Sequence, residues 1–159
     1  MLMRHFAWLL VPLAVSAAEA RAPVRPPSIS YETGACFGRC PIYRVTVSAD
    51  GRGTFEGRRF TAVEGVRDFR LTRAQYEAFA ARLAPYRPRG SEEINHGHPR
   101  CRRVATDHPS VSVSWMGRRA ADRLSFYFGC RDPANAAMAR ALTEAPGLLP
   151  IGDLIGTRR

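Results

Sequence analysis

Four cysteines, Cys36, Cys40, Cys101 and Cys130, are the residues of this sequence best suited to covalent chemistry. Four thiols allow three pairings. Cys36 and Cys40 enclose only Phe37, Gly38 and Arg39, so a bond between them closes a tight loop. The rival reading is a redox-active pair. Redox motifs use Cys-x-x-Cys spacing and a low-pKa thiolate at a helix start. Here the spacing is one residue longer and a β-strand pattern follows, which favours a structural bond. Cys101 precedes, and Cys130 follows, a segment that alternates like a β-hairpin. Antiparallel pairing carries both to the same open end, where a bond would pin the loop before the hairpin.

A second constellation is His96-Gly97-His98-Pro99-Arg100-Cys101, which puts three candidate metal ligands close together. Zinc or copper accepts imidazole and thiolate in one site. Against it, Arg100, Arg102 and Arg103 repel a cation, and oxidation would remove the thiolate. The expectation is therefore no cofactor, with zinc or copper on His96, His98 and Cys101 as the alternative. No nucleophile, base and acid stand in a recognisable set. Glu92 and Glu93 are adjacent and project differently, and Asp107 before His108-Pro109 reads as a turn residue. The leading reading is non-catalytic.

The compartment decides what the thiols do. Met1 to Arg4 make a basic start, Phe6 to Val15 an apolar run, and Ser16 to Ala20 a small-residue site. That is the three-part secretory signal, with cleavage expected before Arg21. The apolar run is shorter than the roughly 20 residues of a membrane span. The expected organisation is a signal peptide over 1–20, a Pro-rich tether over 21–27, one domain over 28–155 and a tail over 156–159. The expected location is outside the cytoplasm of a bacterium, periplasmic or secreted, where four cysteines in a small domain favour two disulfides.

All 24 basic residues are Arg, against 14 acidic residues, giving a net charge of +10 and a pI near 10.6. Removing Met1–Ala20 takes away Arg4 and Glu19 and leaves the charge unchanged. The arginines are spread along the chain, with pairs at Arg58-Arg59, Arg102-Arg103, Arg118-Arg119 and Arg158-Arg159. This reads as a positive surface for an acidic envelope component or protein, not as a specific nucleic-acid site.

These residues need a scaffold. Ser28–Glu32 is a short strand candidate. Tyr43, Val45 and Val47 alternate with Arg44, Thr46 and Ser48, and Asp50-Gly51 turns the chain into a return strand over 52–60. Gly53 and Gly57 in that strand predict a bulge. Thr72-Arg73-Ala74-Gln75 has the form of a capping box and opens a helix with Tyr76, Phe79, Ala80 and Leu83 inward. Residues 86–109 show no period and read as a long loop. Val111, Val113 and Trp115 face inward on one strand, Leu124, Phe126 and Phe128 on the next, with a turn over 117–120 between them. Asp132-Pro133 opens a second helix with Ala134, Ala137, Met138, Ala141, Leu142 and Ala145 inward. The result is an α+β fold, β-ββ-α-ββ-α, with about five antiparallel strands and two helices on one face. Arg44, Thr46, Ser48, Ser112, Ser114, Arg123, Ser125 and Tyr127 line the opposite face.

The stretch from Tyr31 to Tyr43, with Cys36-Phe37-Gly38-Arg39-Cys40-Pro41 at its centre, resembles the opening of an uncharacterised family of bacterial exported proteins. That family, a domain of unknown function, is recognised by Cys-Phe-Gly-x-Cys-Pro-x-Tyr. Asp50-Gly51 with Phe55 and Gly57 beyond it, and Thr106-Asp107-His108-Pro109 before a strand, resemble its looser pattern. The resemblance spans roughly residues 29 to 130 and marks Phe37, Gly38, Pro41, Tyr43 and Asp107. It implies export and a domain type, not a reaction. It also implies that Cys36 and Cys40 form a self-sufficient pair, since many members lack partners for Cys101 and Cys130.

Overall fold

Alternation at period two places every second side chain on one face of a strand. The structure, a computed structural model, describes residues 26–117 and 121–156 and builds one seven-stranded sheet from that pattern. The strands are β1 Ser28–Thr33, β2 Ile42–Ser48, β3 Arg52–Arg59, β4 Gly65–Arg70, β5 Ser91–Ile94, β6 Ser110–Met116 and β7 Ala121–Tyr127. Their order across the sheet is β4-β3-β2-β1-β6-β7-β5. All neighbours are antiparallel except β5, which pairs with β7 in parallel. The expected signal segment, most of the tether, the tip of the turn at 118–120 and the end of the tail lie outside the described residues.

Strand β1 joins the two halves. Ile29 stands between Val47 and Trp115, and Tyr31 between Val45 and Val113. These residues, with Tyr43, Phe55, Val111, Leu124, Phe126 and Ile94, form the buried face. Helix α1, Arg73–Leu83, covers it with Phe79 and Leu83, and helix α2, Ala136–Glu144, with Met138, Ala141 and Leu142. Leu149 and Ile151 pack in after α2, and helix α3, Gly152–Ile155, makes one last turn. The buried Tyr31 hydroxyl donates to the Leu142 carbonyl at 2.8 Å and ties the central strand to α2. At α1 the capping box is complete: the Gln75 amide donates to Thr72 Oγ1 and the Thr72 amide to Gln75 Oε1.

The expected count of about five strands and two helices is too low. Strand β4 was not expected because its residues are almost all exposed and show no buried alternation. Strand β5 was hidden in the loop over 86–109 because only Ile94 of its four residues is buried. Helix α2 also starts later than expected. Residues Pro133–Asn135 form a 3-10 turn, which shifts the helical phase and leaves Ala134 and Ala137 exposed. Met138, Ala141, Leu142 and Ala145 are buried as read. The bulge adjoins Gly57: Ile42 pairs with Arg59 and Tyr43 with Gly57, leaving Arg58 unmatched. A Cβ on Gly57 would lie 2.0 Å from the Val63 carbonyl, so only glycine fits there.

Trp115 and Phe126 are buried on the helix-covered face, so Trp115→Ala or Phe126→Ala should each destabilise by about 3–5 kcal/mol. Ser112 and Ser125 share a hydrogen bond on the open face, and either changed to Ala should cost under about 1 kcal/mol. Chemical denaturation of the four variants checks this, and serine variants as damaging as the aromatic ones would reverse the assigned faces.

Candidate binding groove

The chain leaves β1 into the Cys36–Cys40 loop and re-enters the sheet at β2. Thr33 closes the neck of this loop. Its hydroxyl donates to the Pro41 carbonyl at 2.8 Å and accepts from the Tyr43 amide at 3.0 Å. Cys36 and Cys40 stand at disulfide distance, with Cα atoms 5.8 Å apart. Gly38 has φ +136°, a conformation that L side chains rarely adopt. The Phe37 amide donates to the Asp107 carbonyl at 3.3 Å, and Asp107 itself sits at φ +70°. The Phe37 ring is left 87% exposed at the tip. Tyr43 goes the other way, stacking in the core on Phe55 with ring centres 5.4 Å apart. The motif thus joins a displayed aromatic to a buried one.

Cys101 and Cys130 are also at disulfide distance, with Cα atoms 4.7 Å apart, and both are buried. Hydrogen bonds reinforce this join. The Ala105 amide donates to the Gly129 carbonyl and the Arg131 amide to the Arg103 carbonyl. Asp132 does not cap its own helix as expected. Its carboxylate instead accepts the amides of Arg102 and Arg103 at 2.7 and 3.1 Å, anchoring the loop before β6. The Arg103 amide foremost holds this carboxyl below the usual aspartate range, against the opposing effect of desolvation.

The two loops and α2 border an open groove of about 1570 Å³ at the end of the sheet. Phe37, Arg39, Phe60, His108, Arg131 and Ile155 are among its lining residues. That volume exceeds the roughly 300–1,000 Å³ typical of small-molecule pockets. The Arg39 guanidinium lies 5.5 Å, and that of Arg59 4.9 Å, from the centre of the Phe60 ring. Such spacing is that of cation–π contacts. Phe60 is held at φ +58°. The Arg131 guanidinium lies 3.0 Å from Nε2 of His108. Among the described residues Arg39, Arg59 and Arg131 form no ion pair. Among the described residues, Asp132 is the one acidic side chain on the lining. Asn135, also on the lining, is buried. Its Nδ2 donates to the Arg100 carbonyl, while its Oδ1 has no partner among the described residues.

The structure treats the other expected residues differently. His96 is exposed, Nδ1 of His98 accepts from the Arg100 amide, and the Cys101 sulfur is engaged by Cys130. Among the described residues no group of three or more His, Cys, Asp or Glu side chains could hold a metal ion. Glu92 pairs with Arg100 at 3.2 Å, and Glu93 accepts from Asn95. On the open face Arg44 and Arg58 clasp Glu32. Partial burial works upward on the Glu32 carboxyl, yet the two guanidiniums hold it below its ordinary value. Sequence reasoning missed Phe60 and Arg131 as groove residues. The only signal for either was an aromatic directly after Arg58-Arg59.

The fold and its paired cysteines define a small α+β domain with two cysteine-linked loops beside an open groove. The chain belongs to the DUF6438 family, described as a domain of unknown function, which matches residues 27–145. No curated protein matches the sequence. No helix among the described residues is long and apolar enough to cross a membrane.

Two predictions follow from the pinned loops. Non-reducing peptide mapping should recover Cys36–Cys40 and Cys101–Cys130. Loss of the first bond should cost about 2 kcal/mol and of the second about 3.6 kcal/mol by loop-closure entropy. A Cys36–Cys101 or Cys40–Cys130 peptide would refute the pairing. Separately, a lowered folded-state pKa means that ionised Asp132 stabilises the fold above its ordinary value of roughly 3.9 and loses that effect as the pH falls further. Asp132→Asn should therefore lower the denaturation midpoint at neutral pH. Its difference from wild type should narrow below about pH 4, and a constant difference down to pH 3 would show that charge is not involved.

Proposed function

We propose that this protein is an exported, disulfide-stabilised, non-catalytic binding domain whose Arg-rich surface associates with an acidic partner in the cell envelope. The observation that carries this reading is the pairing of all four cysteines, with none free. Such pairs persist in oxidising compartments and are rare in the cytosol. The charged, apolar and small-residue segments over Met1–Ala20 support export. The net charge of +10, with arginines at the groove in no ion pair, supports an anionic partner.

Native and denaturing mass spectrometry of protein recovered from periplasm tests the first half. The expected species begins at Arg21, carries no metal and gains four hydrogens on reduction. Full-length protein with free thiols, or a retained zinc or copper ion lost in His96→Ala, would overturn it. Binding to polyglutamate tests the second half. Affinity should fall steeply between low and physiological salt, where exposed charges are screened within about 8 Å. Salt-independent binding would contradict an electrostatic surface.

A further inference from the structure

We propose that the groove beside the Cys36–Cys40 loop receives an acidic peptide segment of another protein, with a large apolar side chain seated against Phe37 and Phe60. This rests on the acidic-partner reading and narrows it to one site and one ligand class.

Charge complementarity selects the occupant. Arg39 and Arg131 line the groove, and Arg59 lies against the ring of the lining residue Phe60, all three without carboxylate partners among the described residues. The one carboxylate on the lining, Asp132, already accepts two backbone amides. Away from the groove some arginines are matched, Arg44 and Arg58 by Glu32, Arg87 by Asp122 and Arg82 by Glu144, while others, Arg70 and Arg89 among them, form no ion pair among the described residues. What sets the groove apart is that its unmatched guanidiniums, Arg39 and Arg131, stand beside aromatic and apolar walls. A second copy of the chain brings +10 and is repelled. The residues after Gly156, which lines the groove, add Arg158 and Arg159 and are equally unsuited.

Shape and chemistry narrow the class further. A groove with apolar walls at Ile155, Ala139 and Pro146 rewards side chains that a polyanionic glycan lacks. A concave trench also fits a chain better than it fits a flat bilayer. Phe37 is carried on a constrained loop, which suits an anchor: the loop is crosslinked, closed at Thr33 and bonded to Asp107. Aromatic residues and Arg dominate the energetics of such contacts.

The test is fluorescence anisotropy at low salt, using the full domain with its cysteines oxidised. The probes are a labelled peptide of repeated Glu-Glu-Phe, oligoglutamate of the same length, and phosphatidylglycerol vesicles. The Glu-Glu-Phe peptide should bind about tenfold more tightly than oligoglutamate. Arg39→Glu, Arg131→Glu and Phe37→Ser should each weaken it by about tenfold or more. Arg70→Glu and Arg89→Glu, at the opposite end of the sheet, should weaken it by less than about threefold. Phe37 and Arg39 are exposed, so their variants carry the test even if Arg131→Glu fails to fold. Equal losses from all the charge reversals, or equal binding of the two peptides, would overturn the groove and leave a diffuse acidic-partner surface standing. Phe37-dependent binding of vesicles without binding of peptide would overturn the peptide in favour of a membrane. No binding of any anion would overturn both the groove and the acidic-partner reading.

Discussion

The simultaneous pairing of β1 with β2 and β6 is the constraint on which the rest of this molecule depends. Without it the chain is two antiparallel pieces, each with half a buried face. With it, Tyr31 lies in the middle of the sheet, its hydroxyl satisfied by the Leu142 carbonyl of α2. An unsatisfied buried hydroxyl would cost about 1–3 kcal/mol, so the register of β1 and the seat of α2 fix each other. The same register sets the loops. The Gly34 amide donates to the Ser110 carbonyl, which brings the Cys36–Cys40 loop alongside the segment entering β6. A Cβ on Gly34 would lie 2.3 Å from Ser110 Oγ, so the approach is as close as the chain permits. The groove is the space left at that end of the sheet.

The positive charge is distributed with respect to this frame. Across the open face Glu32 and Glu56 each meet Arg44 and Arg58, a network of partly exposed groups. Exposed pairs stabilise by about 0–1 kcal/mol each, so their main consequence is placement rather than stability. Within this network two carboxylates offset two guanidiniums on the open face. The arginines at the groove are oriented differently, two of them against the ring of Phe60. A guanidinium held over an aromatic face still offers its N–H donors to an incoming carboxylate.

What could be read from the sequence follows from which forces act locally. Val111, Val113 and Trp115, and then Leu124 and Phe126, alternate because one face of their sheet is buried, and that pattern survives in the one-dimensional record. The Thr72 cap is legible for the same reason, since donor and acceptor lie three residues apart. Strand β4 carries no such signal: charged side chains protect an edge from pairing with other chains, and they erase the alternation. Strand β5 exists because β7 offers it a partner over thirty positions away in sequence, which no local pattern records. The candidate site divides in the same way. The cysteines and Phe37 were visible as a motif. Phe60 and Arg131 join the groove only through tertiary packing, and Asp132 satisfies amides thirty residues back rather than its own helix.

The two cysteine pairs therefore act on different levels. Cys101–Cys130 is buried and spans a long loop, so it limits the unfolded chain and keeps β5 and the Asp132 contacts in register with the second hairpin. Cys36–Cys40 closes so few residues that it restrains the unfolded chain far less. Its effect lies in the folded state, where it constrains the loop that carries the exposed Phe37. Thr33, Asp107 and the crosslink also fix the loop backbone, which lowers the cost of ordering that loop on association. A fold that needed only stability would gain more by burying Phe37 than by displaying it, because burying such a ring stabilises by about 1.5–3 kcal/mol. The Cys36–Cys40 pair therefore shapes the loop that displays Phe37 more than it adds to the stability of the domain.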